Sequence, residues 1–84
     1  MFIYAFTFRS FTAAQSGRNV LQQLGIAVQL QRAPKQLTEQ GCGYVLRVMA
    51  ADGAHAAEAL RVYSAAFVQI YRCFPNGVCQ EAEL

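Results

Sequence analysis

Phe2, Tyr4, Phe6 and Phe8 alternate with Ile3, Ala5 and Thr7 at the start of the chain. A period of two predicts a β-strand, and because neither set is charged the strand is expected to lie centrally, covered on both faces. Ser10 then offers a helix N-cap, or Thr12 does so with Gln15 three residues on as a capping box. Ala13, Gly17, Val20, Leu21 and Leu24 follow at helical spacing, with Gln15, Arg18, Asn19, Gln22 and Gln23 as the wet face. Gly25 is placed to end that helix. Ile26 to Arg32 alternates, with Ile26, Val28 and Leu30 against Gln29 and Gln31, and reads as a half-exposed strand. Ala33 to Gly43 is a loop, and Tyr44 to Met49 a third strand. Asp52 is expected to cap a second helix whose buried stripe is Ala56, Ala59, Leu60 and Tyr63. Phe67 to Cys73 is a fourth strand, stopped by the turn signal Pro75-Asn76-Gly77. Val78 to Leu84 reads as a short, acidic, mobile tail. There is no internal repeat and no low-complexity stretch.

The order β-α-β-β-α-β predicts an α+β fold, the ferredoxin-like split βαβ, with two helices on one face of a four-stranded antiparallel sheet. Residues 1–74 are assigned to that domain and 75–84 to a C-terminal tail. At 84 residues the chain makes one domain near the small end of what buries a sufficient core. Yet 55% of its residues are hydrophobic, more than a two-layer domain with a wet outer face needs. The second sheet face, with side chains from the first and third strands, would be costly to leave in water at roughly 25 cal/mol per Å² of apolar area. A homodimer through sheet faces or edge strands is therefore expected.

Charge and length narrow the partners. A net charge of +2 argues against nucleic acid, which demands a concentrated basic stripe. There is no apolar run of about 18 residues to span a membrane. The opening Met1-Phe2-Ile3-Tyr4-Ala5-Phe6 has no basic leader or small-residue cleavage site and is not read as a signal peptide, so a cytoplasmic location is expected. Three cysteines cannot all pair within one chain, and in a reducing compartment they would mostly be thiols. Cys42 and the later Cys73-x5-Cys79 do not fit the cysteine spacing of zinc sites, and His55 has no nearby partner, so neither a metal site nor a cofactor is expected.

The chemically equipped position is Cys42. It lies between Gly41 and Gly43, which have no bulk to bury it, with Arg32, Lys35 and Arg47 near in sequence. Such surroundings favour thiolate, the reactive form. The other reading is that Gly-Cys-Gly is a turn with cysteine as small apolar filler. In the expected topology the Pro34–Gly43 loop and the start of the first helix share one end of the sheet. Cys42 would then lie near Arg9 and the open amides of Ser10 to Ala13, where the helix dipole stabilises an anion. Cys73, Cys79 and His55 go to the opposite end. A Cys–His nucleophile pair is disfavoured, and Cys73 and Cys79 are left as a pair across the turn, as links between chains, or as incidental thiols.

Several segments resemble a known family. Phe6-Thr7-Phe8-Arg9-Ser10, then Leu21 with Leu24-Gly25-Ile26, then Ala33-Pro34-Lys35, and finally Cys42-Gly43-Tyr44-Val45-Leu46-Arg47-Val48 are similar to the small domains described as selenium/sulfur carrier-like. The likeness covers about residues 2 to 73 and is most specific over Pro34 to Gly43. Arg9 stands where that family often has proline and Lys35 where arginine is common, and the tail Cys73–Leu84 is not matched to it. The resemblance implies a carrier in which Cys42 accepts a sulfane sulfur or selenium from a donor protein, holds it as a persulfide-type adduct and passes it to an acceptor. Arg9 and Lys35 would stabilise the anionic sulfur, Ser10 would cap the helix facing it, and Gly41 and Gly43 would permit close docking. The competing reading is a non-catalytic ligand-binding or regulatory module that works through its apolar sheet. A thiol oxidoreductase is a third, without a C-x-x-C motif to support it.

Overall fold

The computed structural model describes residues 1–38 and 41–84. Five strands form one sheet in the order β2-β3-β1-β4-β5, with every neighbouring pair antiparallel. They are β1 (Ile3–Phe8), β2 (Val28–Arg32), β3 (Tyr44–Met49), β4 (Ile70–Cys73) and β5 (Cys79–Ala82). β1 is central, as its two apolar faces require. Helices α1 (Phe11–Gln23) and α3 (Gly53–Val62) are the two that the periodicity predicts, and a single turn of helix, α2 (Lys35–Thr38), lies inside the segment read as loop.

Alternation along β1 builds two cores. Tyr4, Phe6 and Phe8 bury themselves with Ala14 and Leu21 of α1 and Ala56 and Leu60 of α3. Ala5, on the other side, packs with Val45 of β3, Tyr71 of β4 and Leu37 of α2. Part of the second face is thus covered by the chain's own α2, around Ala5, Val45 and Tyr71.

Local chemistry fixes the element ends. Ser10, with extended backbone, caps α1, its side-chain oxygen accepting from the Ala13 amide at 3.1 Å. At the other end Gly25, at φ +76°, takes the left-handed position after the cap. Its amide donates to Gln22 O at 3.0 Å and that of Ile26 to Leu21 O at 3.0 Å, the Schellman pattern. Leu24, expected in the buried stripe, is instead the C-cap and exposed, while Ala14 is buried where Ala13 was expected.

Further expectations are corrected. Asp52 does not cap α3 with its side chain: it belongs to a 3-10 turn (Ala50–Asp52) and its backbone is already helical. Tyr63 is the exposed C-cap of α3 and no part of its buried stripe. β4 begins at Ile70 rather than Phe67, although the Thr7 amide still donates to Gln69 O at 2.9 Å and its carbonyl accepts from the Val68 amide at 2.8 Å. The buried Thr7 hydroxyl donates to Gln69 O at 3.2 Å and accepts from the Gln69 amide at 3.1 Å. Phe67 meanwhile turns into the helical face against Phe6, with ring centroids 5.3 Å apart.

The sheet has five strands, not four, because the segment read as a mobile tail is β5. Phe74 N–H donates to Val78 O at 2.8 Å and Gly77 N–H to Phe74 O at 2.9 Å, which closes the hairpin at Pro75-Asn76. The Asn76 carboxamide oxygen accepts from the Val78 amide. Cys73 and Cys79, facing each other across the hairpin, form a disulfide.

Candidate functional site

Cys42 precedes β3, on the return from α2. Gly41 adopts φ +80°, a left-handed conformation that glycine enters without steric cost. Gly43 O accepts from the Ala33 amide at 3.0 Å, prolonging the β2–β3 ladder by one bond. The two glycines set the backbone but do not leave the thiol open: Cys42 is 1% exposed. The expectation of a solvent-reachable side chain between two small neighbours is not met, because tertiary packing rather than the adjacent residues decides its burial.

Burial pushes the Tyr71 phenol above its ordinary value, and the negative charges of Glu81 and of ionised Cys42 push it the same way. Tyr71 belongs to the second-face core with Leu37, Val45 and Ala5, whereas α1 packs on the opposite face. The sheet's end is shared as expected, with Phe11 at the start of α1 against the Tyr44 ring at 5.6 Å and the Arg32 guanidinium 5.8 Å from the same ring.

The remaining predicted site residues are dispersed. Arg9 and Ser10 are exposed at the start of α1, and the Ser10 hydroxyl oxygen is engaged by the Ala13 amide. Lys35 is exposed in the first turn of α2, where its carbonyl accepts from the Thr38 hydroxyl. Gly43 adjoins Cys42 but spends its carbonyl on Ala33. Among the described residues no hydrogen bond runs from Arg9, Ser10 or Lys35 to the Cys42 sulfur.

Sequence reasoning missed α2 and the residues that tie it to the sheet. Leu37 is 4% exposed, the one large apolar residue in the stretch Lys35 to Thr38, and that isolation is the signal that could have found it. Gln36 Nε2 donates to Gly77 O at 3.0 Å, tying α2 to the β4–β5 hairpin. Between them lies a cleft of about 460 Å³, lined by residues that include Ile3, Leu37, Arg47, Cys73, Phe74 and Cys79. No group of three or more His, Cys, Asp or Glu side chains gathers among the described residues.

The disulfide leaves Cys42 as the free cysteine. A family model described as "Putative Se/S carrier protein-like" matches residues 4–72. The chain belongs to this family. The match takes in β1 through most of β4, with Cys42 and α2 inside it, and stops one residue before Cys73. Cys73, Cys79 and the hairpin turn between them lie outside the matched region. No curated protein and no solved structure gives a significant match. No helix among the described residues is long and apolar enough to cross a membrane.

Proposed function

We propose that this chain carries sulfur or selenium on Cys42, holding the atom as a persulfide-type adduct between a donor and an acceptor protein. Family membership is the observation that carries the reading. The disulfide supports it by leaving Cys42 as the free thiol. The β2-β3-β1-β4 order with α1 and α3 on one face supports reading the fold as a ferredoxin-like βαββαβ core, extended by β5.

The chemistry asks little of the carrier. The Cys42 thiolate attacks the terminal sulfur of a donor persulfide, a new sulfur–sulfur bond forms on Cys42, and the donor's own bond breaks to release its thiol. Handing the atom on repeats the exchange in the other direction, with no net oxidation. Because the side chain is buried, both exchanges proceed from an opened state in which the segment around α2 moves aside. The described ties of that segment are few: Leu37 in the second core, the Gln36–Gly77 hydrogen bond and the turns within it. Closure then shields the adduct from water and oxidants between encounters, a use for burial that an open thiol lacks.

Intact-mass measurement after incubation with a low-molecular-weight persulfide tests the reading. Wild type gains one sulfur atom and Cys42→Ser gains none. Equal gain by both proteins, or gain by neither after prolonged incubation, removes it.

A further inference from the structure

The disulfide and the tie to α2 meet at one turn. Cys73 ends β4 and Cys79 begins β5, and the two stand opposite each other in the register. The turn they bracket carries Gly77, whose carbonyl accepts from Gln36 Nε2 of α2 at 3.0 Å. Among the described residues, that is the one side-chain hydrogen bond from α2 to a part of the chain distant in sequence. The chain runs on from α2 to the buried Cys42. The hairpin therefore holds the segment whose displacement uncovers the thiol.

The disulfide is what fixes the turn end of the hairpin to the sheet. β5 is an edge strand of four residues whose buried side chain, Ala82, lies at the end away from the turn, while Gln80 and Glu81 are exposed. Phe74 rests against the Phe2 ring, with centroids 5.8 Å apart, and secures the β4 side. The bonds within the turn, from Phe74 N–H to Val78 O, Gly77 N–H to Phe74 O and Val78 N–H to Asn76 Oδ1, shape it without setting where Gly77 sits against α2. Both cysteines are partly exposed and line the cleft of about 460 Å³ together with Gln36 and Gly77. The sulfur–sulfur bond thus borders open space while the fold is closed.

We propose that the Cys73–Cys79 disulfide is a redox clasp on Cys42: intact, it keeps Gly77 in place to hold α2 shut, and its reduction lets α2 open. The inference rests on the reading of Cys42 as the thiol that takes up sulfur and names how that thiol is controlled. The reductant is a dithiol. One of its thiolates attacks a sulfur of the disulfide, forming a mixed disulfide, and the other cysteine leaves as thiolate and takes up a proton. The second thiol of the reductant, once deprotonated, breaks the mixed disulfide. The protein disulfide is reduced to two thiols and the dithiol is oxidised to its disulfide, which can run the exchange backwards. Cys42 exchanges sulfur in the reduced state, and in the oxidised state the clasp closes over the adduct. The gain in opening is bounded by the worth of the Gln36 hydrogen bond, about two- to tenfold in the rate at which Cys42 is reached.

Alkylation of Cys42 by iodoacetamide under native conditions, read by peptide mass, measures access without any sulfur donor. Wild type, Gln36→Ala, the double variant Cys73→Ser with Cys79→Ser, and the three substitutions together are compared. Removing the disulfide is expected to speed Cys42 labelling about two- to tenfold when Gln36 is present, and less than about twofold in Gln36→Ala, where the clasp has nothing to hold. Wild type and Gln36→Ala reduced with dithiothreitol and desalted without air repeat the comparison with both cysteines in place, should the serine variants fail to fold. Equal rates in oxidised and disulfide-free protein overturn the proposal. So does the same acceleration in both backgrounds, the mark of general destabilisation. Sulfur loading of Cys42 is read separately by intact mass, so a failed clasp leaves the carrier reading standing, and a failed carrier reading leaves these rates unchanged.

Discussion

Leu37→Ala is the perturbation that asks most sharply how Cys42 becomes reachable. Leu37 is 4% exposed and packs with Ala5, Val45 and Tyr71, while α2 is a single turn with no second apolar anchor. Truncating a buried leucine costs about 2–5 kcal/mol. If the opened state that exposes Cys42 already lacks the Leu37 contacts, that whole amount is subtracted from the opening free energy. Taking about 3 kcal/mol, at about 1.4 kcal/mol per factor of ten, Cys42 alkylation accelerates roughly 100-fold. The assay is alkylation by iodoacetamide under native conditions, followed by intact mass with the disulfide left unreduced. Leu60→Ala is the control. Leu60 is 0% exposed in the helical core, so its truncation lowers global stability by a similar amount without touching α2. Local opening predicts that Leu37→Ala labels fast and Leu60→Ala labels near the wild-type rate. Equal acceleration in the two variants would mean that the thiol reacts only through global unfolding, and no acceleration in Leu37→Ala would mean that α2 does not control access.

Three smaller effects follow from the same geometry. Gln36→Ala removes one exposed hydrogen bond, worth about 0.5–1.5 kcal/mol, and is expected to speed Cys42 alkylation about two- to tenfold with little change in melting temperature. Ser10→Ala removes a helix cap and lowers stability by about 0.5–2 kcal/mol in a denaturant titration, yet leaves Cys42 reactivity unchanged, because its hydroxyl serves α1 rather than the thiol. Tyr71 titrates above its ordinary value of about 10. A phenol with a raised folded-state value contributes stability that is present below its unfolded value and lost as pH rises through the folded one. Tyr71→Phe should therefore flatten the decline in stability above about pH 10. In Cys42→Ser the phenol should titrate lower in an ultraviolet difference titration, and an unmoved Tyr71 would place the two side chains apart.

Much of the fold was legible because periodicity is written locally. The alternation from Phe2 to Phe8, the cap at Ser10 and the Gly25 stop each rest on a few neighbouring residues, and β3 falls on Tyr44 to Met49 as read. β5 was missed because Cys79 to Ala82 has no clear alternation, and only the disulfide and the turn at Pro75-Asn76-Gly77 bring it alongside β4. Asp52 has the right residue type for a cap, but the 3-10 turn ahead of α3 gives it a helical backbone, and that turn left no sequence signal.

The site was legible as a residue and not as an environment. Gly-Cys-Gly marks the position and the family resemblance marks its chemistry, but exposure is a tertiary property. Cys42 is buried although both its neighbours are glycine, so its exposure is decided by residues distant in sequence. The basic residues expected to face Cys42, Arg9 at the sheet end and Lys35 in α2, are exposed to water, where long basic side chains are cheaply solvated.

Peptide mapping after exposure to a sulfane-sulfur donor separates the alternatives best, because it locates the adduct as well as detecting it. Sulfur transfer to this chain predicts one extra sulfur on the peptide containing Cys42, with Cys73 and Cys79 still joined to each other. Sulfur found only on the Cys73 or Cys79 peptide, with Cys42 unmodified, would contradict it.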